Sequence, residues 1–318
     1  MGVFVIEQTA ALNGRTGAGN MESANQSMAG KICMVTGATS GIGKATAMGL
    51  AKHGATVVIV GRNENKCKAT SIWIKNQTKN PSVDFLIADL SDQAQVRQLV
   101  AEFKRRYDRL HVLVNNAGAR FMAYRKTKQG LEMTLALNHL AYFLLTNLLL
   151  DVLKDSAPAR IINISSGSQT PGIDFENLSD WQSYDGRKAY AQSKLANMLF
   201  THELAERLAG SGITVNAVNP GGVVSNFNKN NGWLYWLRHV VAHLKAGNLI
   251  TPTVAAETNV YLATSPEVAG ITGKYFYRKK MVPPSAAAQD KLVAGRLWQV
   301  SCKLTGLAAQ NAEQKKPH

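Results

Sequence analysis

Short, β-branched apolar runs along the chain alternate with longer stretches in which apolar residues recur every three or four positions. The runs "KICMVTG" (31–37), "ATVVIVG" (55–61), "VDFLIADL" (83–90), "LHVLVNNAG" (110–118), "RIINISS" (160–166) and "ITVNAVNPGG" (213–222) read as six strands, and "GKYFY" (273–277) as a seventh. Their apolar character suits strands covered on both faces. Helical periodicity fills the gaps at 42–53, then up to about 77, at 92–107, at 130–153 and from 188 to about 210. This alternation predicts an α/β fold, a doubly wound sheet of about seven parallel strands with helices on both faces. There is no second set of core elements and no repeat of solenoid length. Residues 1–28 are rich in Gly, Asn, Ser, Ala and Thr and read as a flexible arm; residues 310–318 read as a tail.

Composition narrows the options. With 318 residues and 45% hydrophobic content, one large α/β domain has a full core. Cys33, Cys67 and Cys302 are far apart and show no metal-binding spacing, so neither a disulfide framework nor a metal site is expected, and a reducing, cytoplasmic setting is. The net charge of +15 suits an anionic cofactor or an anionic membrane surface. Nucleic acid is not expected, because Lys and Arg are scattered and no binding module appears. The most apolar run, "LAYFLLTNLLL" (140–150), is short and interrupted by Thr146 and Asn147, so it reads as a buried helix; peripheral membrane contact stays open.

The candidate chemistry lies at the strand ends. "TGATSGIGKATA" (36–47) places Gly37, Gly41 and Gly43 between the first strand and the first helix. Glycines there let the backbone approach a pyrophosphate, and the helix start offers N–H groups and a positive dipole end. With a strand before it and a helix after it, this is the signature of a Rossmann-type dinucleotide-binding domain, here spanning 29–309. After the second strand stands Arg62, where an NAD site favours an acidic residue. A guanidinium pairs with a 2′-phosphate, which favours NADP(H) over NAD(H). Asp89 reads equally as a ligand for the adenine amino group or as a cap for the following helix. "NNAG" (115–118), Ser165 with Ser166, and "NPGG" (219–222) end the next three strands. In an open parallel sheet, ligands bind at these ends. "KAYAQSK" (188–194) puts Tyr190 and Lys194 four apart, on one helix face.

TGATSGIG, NNAG, Ser166, YAQSK and NPGG, in this order, resemble the short-chain dehydrogenase/reductase superfamily over about 29–309. "LALNHLAYFLLTNLLL", "AYAQSKLANMLFTHELAERL", "GKYF" and "RLWQVSCKLTGL" are similar to its retinol dehydrogenase-like branch. The resemblance implies that Tyr190 is the general acid/base. A free tyrosine has a pKa of about 10, and Lys194 one turn away favours the phenolate. It further implies that Ser166 binds the substrate oxygen, that Asn138 holds a water in a proton relay, and that Lys194 also binds the nicotinamide ribose. Cofactor contacts are implied for Gly37, Thr39, Ser40, Gly41, Ile42, Gly43, Arg62, Asp89, Leu90, Asn116, Ala117, Gly118, Pro220, Gly221 and Val223. The expected reaction is hydride transfer between NADP(H) and an apolar aldehyde, ketone or alcohol, retinal or retinol being one candidate. A light-driven protochlorophyllide-type reductase and a non-catalytic NADPH sensor are the rival readings. The segment after Ser166 is expected to wall the substrate entrance. The apolar segment 231–250, with Trp233, Tyr235, Trp236 and Leu237, lies where relatives place a substrate lid; it also suits core packing or a membrane surface. His239 and His243 lack the further ligands a metal would need. The resemblance implies a homodimer or homotetramer through the helices at 130–153 and 188–209, as in many relatives, though some relatives are monomers or membrane-bound.

Overall fold

The computed structural model describes residues 27–223, 227, 231–233, 237, 241 and 249–308 of the chain. The elements run β1 (Ile32–Thr36), α1 (Gly41–Lys52), β2 (Thr56–Gly61), α2 (Glu64–Thr78), β3 (Val83–Ile87), α3 (Gln93–Arg106), β4 (Val112–Asn115) and α4 (Met133–Leu135). A π-helical turn (Ala136–Leu140) leads into α5 (Ala141–Leu148) and α6 (Leu150–Lys154). Then come β5 (Ala159–Ile164), α7 (Gly186–Arg207), β6 (Ile213–Asn219), β7 (Gly222–Val223), β8 (Leu249–Ile250), α8 (Pro252–Thr264), β9 (Tyr275–Tyr277), β10 (Lys280–Val282) and α9 (Lys291–Thr305).

Eight strands form the main sheet in the order β10-β9-β6-β5-β4-β1-β2-β3, and only the β9–β10 pairing is antiparallel. The chain winds one way from β1 to β3 and the other way from β4, so the strand order reverses between β1 and β4. That crevice is where an open α/β sheet binds its ligand. Side chains alternate across the sheet. Met34, Val58, Leu113 and Ile161 meet Phe103, Phe143, Leu144 and Phe200 on one face, while Cys33, Val35, Val57 and Ile162 meet Leu50, Ile74 and Leu262 on the other. Both faces are dry, which is why the strands read as continuous apolar runs.

The seven expected parallel strands are present. The eighth, β10, follows a two-residue turn in which Arg278 and Lys279 take φ values of 49° and 63°. Such turns favour Asn-Gly or Asp-Gly, so the sequence carries no hairpin signal there. The helix expected over 130–153 is broken by the π-helical turn and again at Leu149. Strand three stops at Ile87, short of the expected Leu90. Met28, assigned to the arm by composition, is instead buried in the core, and its N–H donates to His53 O at 2.9 Å. Residues 1–26 of the arm and the tail beyond 308 lie outside the described residues. At the far end α9 packs over α7: Trp298 stands 4.9 Å from Phe143 and 6.1 Å from Phe200, ring centre to centre, and Ser301 hydrogen-bonds His139 at 2.9 Å. Among the described residues no helix is long and apolar enough to cross a membrane.

Candidate active site

Because β1 and β4 are neighbours, the loops leaving their carboxyl ends meet. Thr36 Oγ1 accepts the N–H groups of Asn116 (2.8 Å) and Ala117 (3.0 Å), and Asn116 Nδ2 donates to Thr36 O at 2.7 Å. Gly37 has a φ of 64°, and a Cβ there would lie 2.8 Å from Ala117 Cα. A Cβ on Gly43 would overlap Asn116 Nδ2 and lie 2.5 Å from Gly37 O. The loop therefore presents backbone, not side chains. Thr39, Ser40, Gly41 and Ile42 form its turn into α1. Ser40, at the N-cap, makes no side-chain cap bond, and the first turn has no acidic residue. By contrast α2, α3, α7, α8 and α9 start under the side chains of Asn63, Asp92, Asp185, Thr251 and Asp290. A glycine cradle at an uncapped helix start fits the pyrophosphate of a dinucleotide.

Arg62 follows β2 and is exposed. Asp89 lies two residues beyond β3, where its carboxylate accepts from Ser91 N (3.0 Å) and Ser91 Oγ (2.7 Å). Asp92 caps α3, accepting from Ala94 N at 3.0 Å, so the capping role considered for Asp89 falls to Asp92. The Leu90 side chain is in the core, which leaves only its backbone for a ligand.

Helix α7 carries Tyr190 and Lys194 past the ends of β5 and β6. Ser165 Oγ donates to Lys194 O at 2.8 Å and fixes the helix to β5. Lys194 is 3% exposed, and its Nζ donates to Ile164 O at 2.8 Å. Burial lowers its ammonium to about 7. Asn138 sits on the π-helical turn: its Oδ1 accepts from Ala119 N at 2.9 Å, and its Nδ2 donates to Ala119 O and Ser193 Oγ, both at 3.0 Å. Gly118 runs beside both groups; a Cβ there would lie 3.1 Å from Asn138 Oδ1 and 3.8 Å from Lys194 Nζ. Tyr190 is 8% exposed. Burial raises its hydroxyl above the usual tyrosine value; the charge of Arg120 and hydrogen bonds with Ser166 and Arg120 pull it back. Ser166 O accepts from Tyr275 OH at 2.9 Å, which fixes the strand end that carries Ser166. Gly221, with a φ of 77°, turns the chain after β6, and its N–H donates to Asn219 Oδ1 at 3.0 Å. Pro220, Gly221 and Val223 thus stand beside the same edge.

The structure gathers Asn138, Ser166, Tyr190 and Lys194 in one place and sets the glycine loop across from them. Sequence reasoning missed Arg120, whose Cζ lies 4.3 Å from the Tyr190 ring centre. It also missed Phe227, which meets that ring edge-on at 5.5 Å. Asn231 was missed as well: it accepts from Met122 N at 2.9 Å and donates to Arg120 O at 2.7 Å. None of these has a local signal; each acts across the fold. The expected wall after Ser166 is pinned to the loop after β4, since Tyr184 OH lies within hydrogen-bond distance of Phe121 O (2.9 Å) and Glu132 Oε1 (3.0 Å) and donates to one of them at a time. In the segment 231–250, Trp233 is 73% exposed and Leu237 and Val241 are 40% exposed each, four residues apart. These three face solvent instead of the core. Tyr235, Trp236, His239 and His243 lie outside the described residues. No cluster of His, Cys, Asp and Glu able to hold a metal occurs among the described residues.

Comparison with known proteins gives a consistent result. A family model described as short chain dehydrogenase matches residues 31–233. Human retinol dehydrogenase 13 is 40% identical over 301 residues, covering 90% of this chain and 88% of the relative. Human polyprenol dehydrogenase is 39% identical over 285 residues, covering 87% of this chain and 86% of the relative. Among solved structures, the Pseudomonas aeruginosa RhlG/NADP active-site complex superposes with a TM-score of 0.65 at 30% identity, covering 80% of this chain and 96% of that one.

Proposed function

The chain belongs to the short-chain dehydrogenase family and is an oxidoreductase of CH–OH and C=O groups, and from that premise we propose that it interconverts an apolar aldehyde or ketone and its alcohol with NADP(H) in preference to NAD(H). The observation that carries the reading is the buried Tyr190 and Lys194 with the half-buried Ser166 at the sheet edge, beside a helix start left without a cap. The backbone of 37–43 would hold the pyrophosphate, Arg62 the 2′-phosphate, and Asp89, Asn116, Ala117, Gly118, Pro220, Gly221 and Val223 the remainder. When bound, the nicotinamide supplies or accepts the hydride. Ser166 hydrogen-bonds the substrate oxygen. Tyr190 gives its proton to that oxygen in reduction and takes it back in oxidation. Burial of Tyr190 keeps water away from the proton it transfers.

Two observations support an apolar substrate. The relatives are named for retinol and polyprenol, both long apolar alcohols, and retinal is therefore one candidate. The exposed Trp233, Leu237 and Val241 give the segment beyond β7 an apolar outer surface. The packing of α9 over α7 and α5 also bears on assembly, for a dimer through those helices would need the face α9 covers.

The test is oxidation of NADPH and NADH by purified protein against apolar aldehydes and ketones, retinal included. Turnover is expected with NADPH. Arg62→Ala loses a charge-assisted phosphate pair of about 1.5–3 kcal/mol, so its NADPH affinity falls roughly ten- to hundredfold while NADH affinity holds. Tight NADPH binding with no turnover on any carbonyl would count against the catalytic reading. An Arg62→Ala variant with unchanged preference would count against the cofactor reading.

A further inference from the structure

Two cations address Tyr190, and they differ in kind. Lys194, one turn along α7, has its Nζ 5.8 Å from the Tyr190 ring centre and directed to Ile164 O. With its ammonium at about 7, only part of Lys194 is charged near neutral pH. Arg120 lies closer, with Cζ at 4.3 Å from the ring centre, and a guanidinium stays charged throughout the working range. Its backbone is held on either side. Asn231 Nδ2 donates to Arg120 O at 2.7 Å, Tyr184 OH donates to Phe121 O at 2.9 Å, and Gly186 leaves no room for a Cβ, which would lie 2.7 Å from Met122 Cα. A planar cation fixed over a phenol ring is attracted to the ring and more strongly to a phenolate.

We propose that Arg120 is the positioning residue for the Tyr190 proton: its guanidinium, stacked on the ring, stabilises the phenolate and sets the pH at which Tyr190 exchanges its proton. This rests on Tyr190 being the proton donor of the proposed function. The other polar groups acting on or beside Tyr190 are Ser166 at the end of β5, Lys194 on its own helix, Tyr142 on α5 and Tyr275 on β9. Burial drives Tyr142 well above its ordinary value and Tyr275 to about 12, so both are neutral in the working range. Arg120 is thus the one permanent charge among the described residues acting on this phenol.

The sign follows. Removing the cation disfavours the phenolate and raises the pH at which Tyr190 titrates. Alcohol oxidation, which needs the phenolate, then requires higher pH; carbonyl reduction, which needs the phenol, persists to higher pH. The measurement is a titration of full-length protein carrying ¹³C-labelled tyrosine, followed by NMR, with the Tyr190 resonance identified by its loss in Tyr190→Phe. Arg120→Met is expected to raise the Tyr190 midpoint by about one pH unit, a tenfold change in acidity, with Arg120→Lys falling between it and the parent. The pH at half-maximal kcat/KM for alcohol oxidation should shift by the same amount, while NADPH affinity changes little. A merely structural role would lower activity equally at every pH. The proposal is overturned if the midpoint is unchanged or lower in Arg120→Met, or if the parent Tyr190 does not titrate below about pH 11. Should Arg120→Met fail to fold, Arg120→Gln is read by the same criteria. The NMR titration needs no turnover, so it judges Arg120 even where the parent reduces none of the carbonyls tried.

Discussion

The two halves of the sheet edge are built by different means. On the β1–β3 side, the site is shaped by what is missing: Gly37 and Gly43 admit no side chain, α1 has no cap, and among the described residues of 27–90 no charged side chain is buried. On the β4–β6 side, the site is shaped by polar side chains that hydrogen-bond one another. Asn115 Nδ2 donates to Thr146 Oγ1 and Asn163 Oδ1, both at 2.9 Å, and Asn163 Nδ2 donates to Thr201 Oγ1 at 3.0 Å. Lys194 and Glu132 are buried, and Glu132 accepts the N–H groups of Thr134 and Leu135, both at 2.7 Å. On the proposed function, the first half would hold an anion with backbone geometry and the second a proton with a polar network. Added atoms should break the first, and removed partners the second.

The largest expected effect separates chemistry from binding. Tyr190→Phe keeps the ring against Arg120 and Phe227 but removes the proton. Turnover should fall about 10²–10⁴-fold, while NADPH affinity, read by fluorescence titration, stays near the parent's. A loss of both would mean that the halves are less independent than their construction suggests. Next comes the reverse case. Gly43→Ala places a methyl against Asn116 Nδ2 and Gly37 O. Overpacking of this kind costs about 1–3 kcal/mol. That cost should appear as weaker NADPH binding, with the pH dependence of turnover at saturating cofactor unchanged.

The polar network gives a third contrast. Asn163→Leu keeps roughly the volume but leaves Asn115 Nδ2 and Thr201 Oγ1 each short of a partner in the core. An unsatisfied buried polar group costs about 1–3 kcal/mol. Urea unfolding should show that loss with little change in slope. A neutral result would mean that Asn115 finds another acceptor.

How far the sequence reveals each half follows from the same difference. The glycine loop is legible because its constraints are local: three glycines between an apolar strand and a helix can be read within twelve residues. Tyr190 and Lys194 are legible for the same reason, being one turn apart. Arg120 is not legible, since its contact with Tyr190 spans seventy residues and depends on Asn231 and Tyr184 to aim it. Asn115 and Asn163 left a trace, for an Asn inside an apolar strand needs a buried partner. Only the β4–β5 register, which pairs these two residues, shows that they satisfy each other. The π-helical turn that positions Asn138 and the Arg278–Lys279 hairpin leave no trace, because in each the fold imposes a backbone state that the local residues do not favour.

The smallest predicted effect concerns the buried cation, and it sharpens the comparison most. An unfolded lysine has a pKa of about 10.4, and the folded Lys194 is lowered to about 7 by burial. Between these values the unfolded chain binds the extra proton, so this residue makes stability rise with pH. The cost of a buried charge is greatest below pH 7 and is relieved as Lys194 becomes neutral. From pH 7 to 8 the contribution is about 1 kcal/mol. Stability measured by urea unfolding should rise over that interval in the cofactor-free protein, and Lys194→Met should remove most of the rise. No corresponding lysine or arginine is buried on the β1–β3 side among the described residues, so Arg62→Ala should leave the slope as it is. A rise that survives Lys194→Met would place the titrating group elsewhere and remove the main energetic distinction between the two halves.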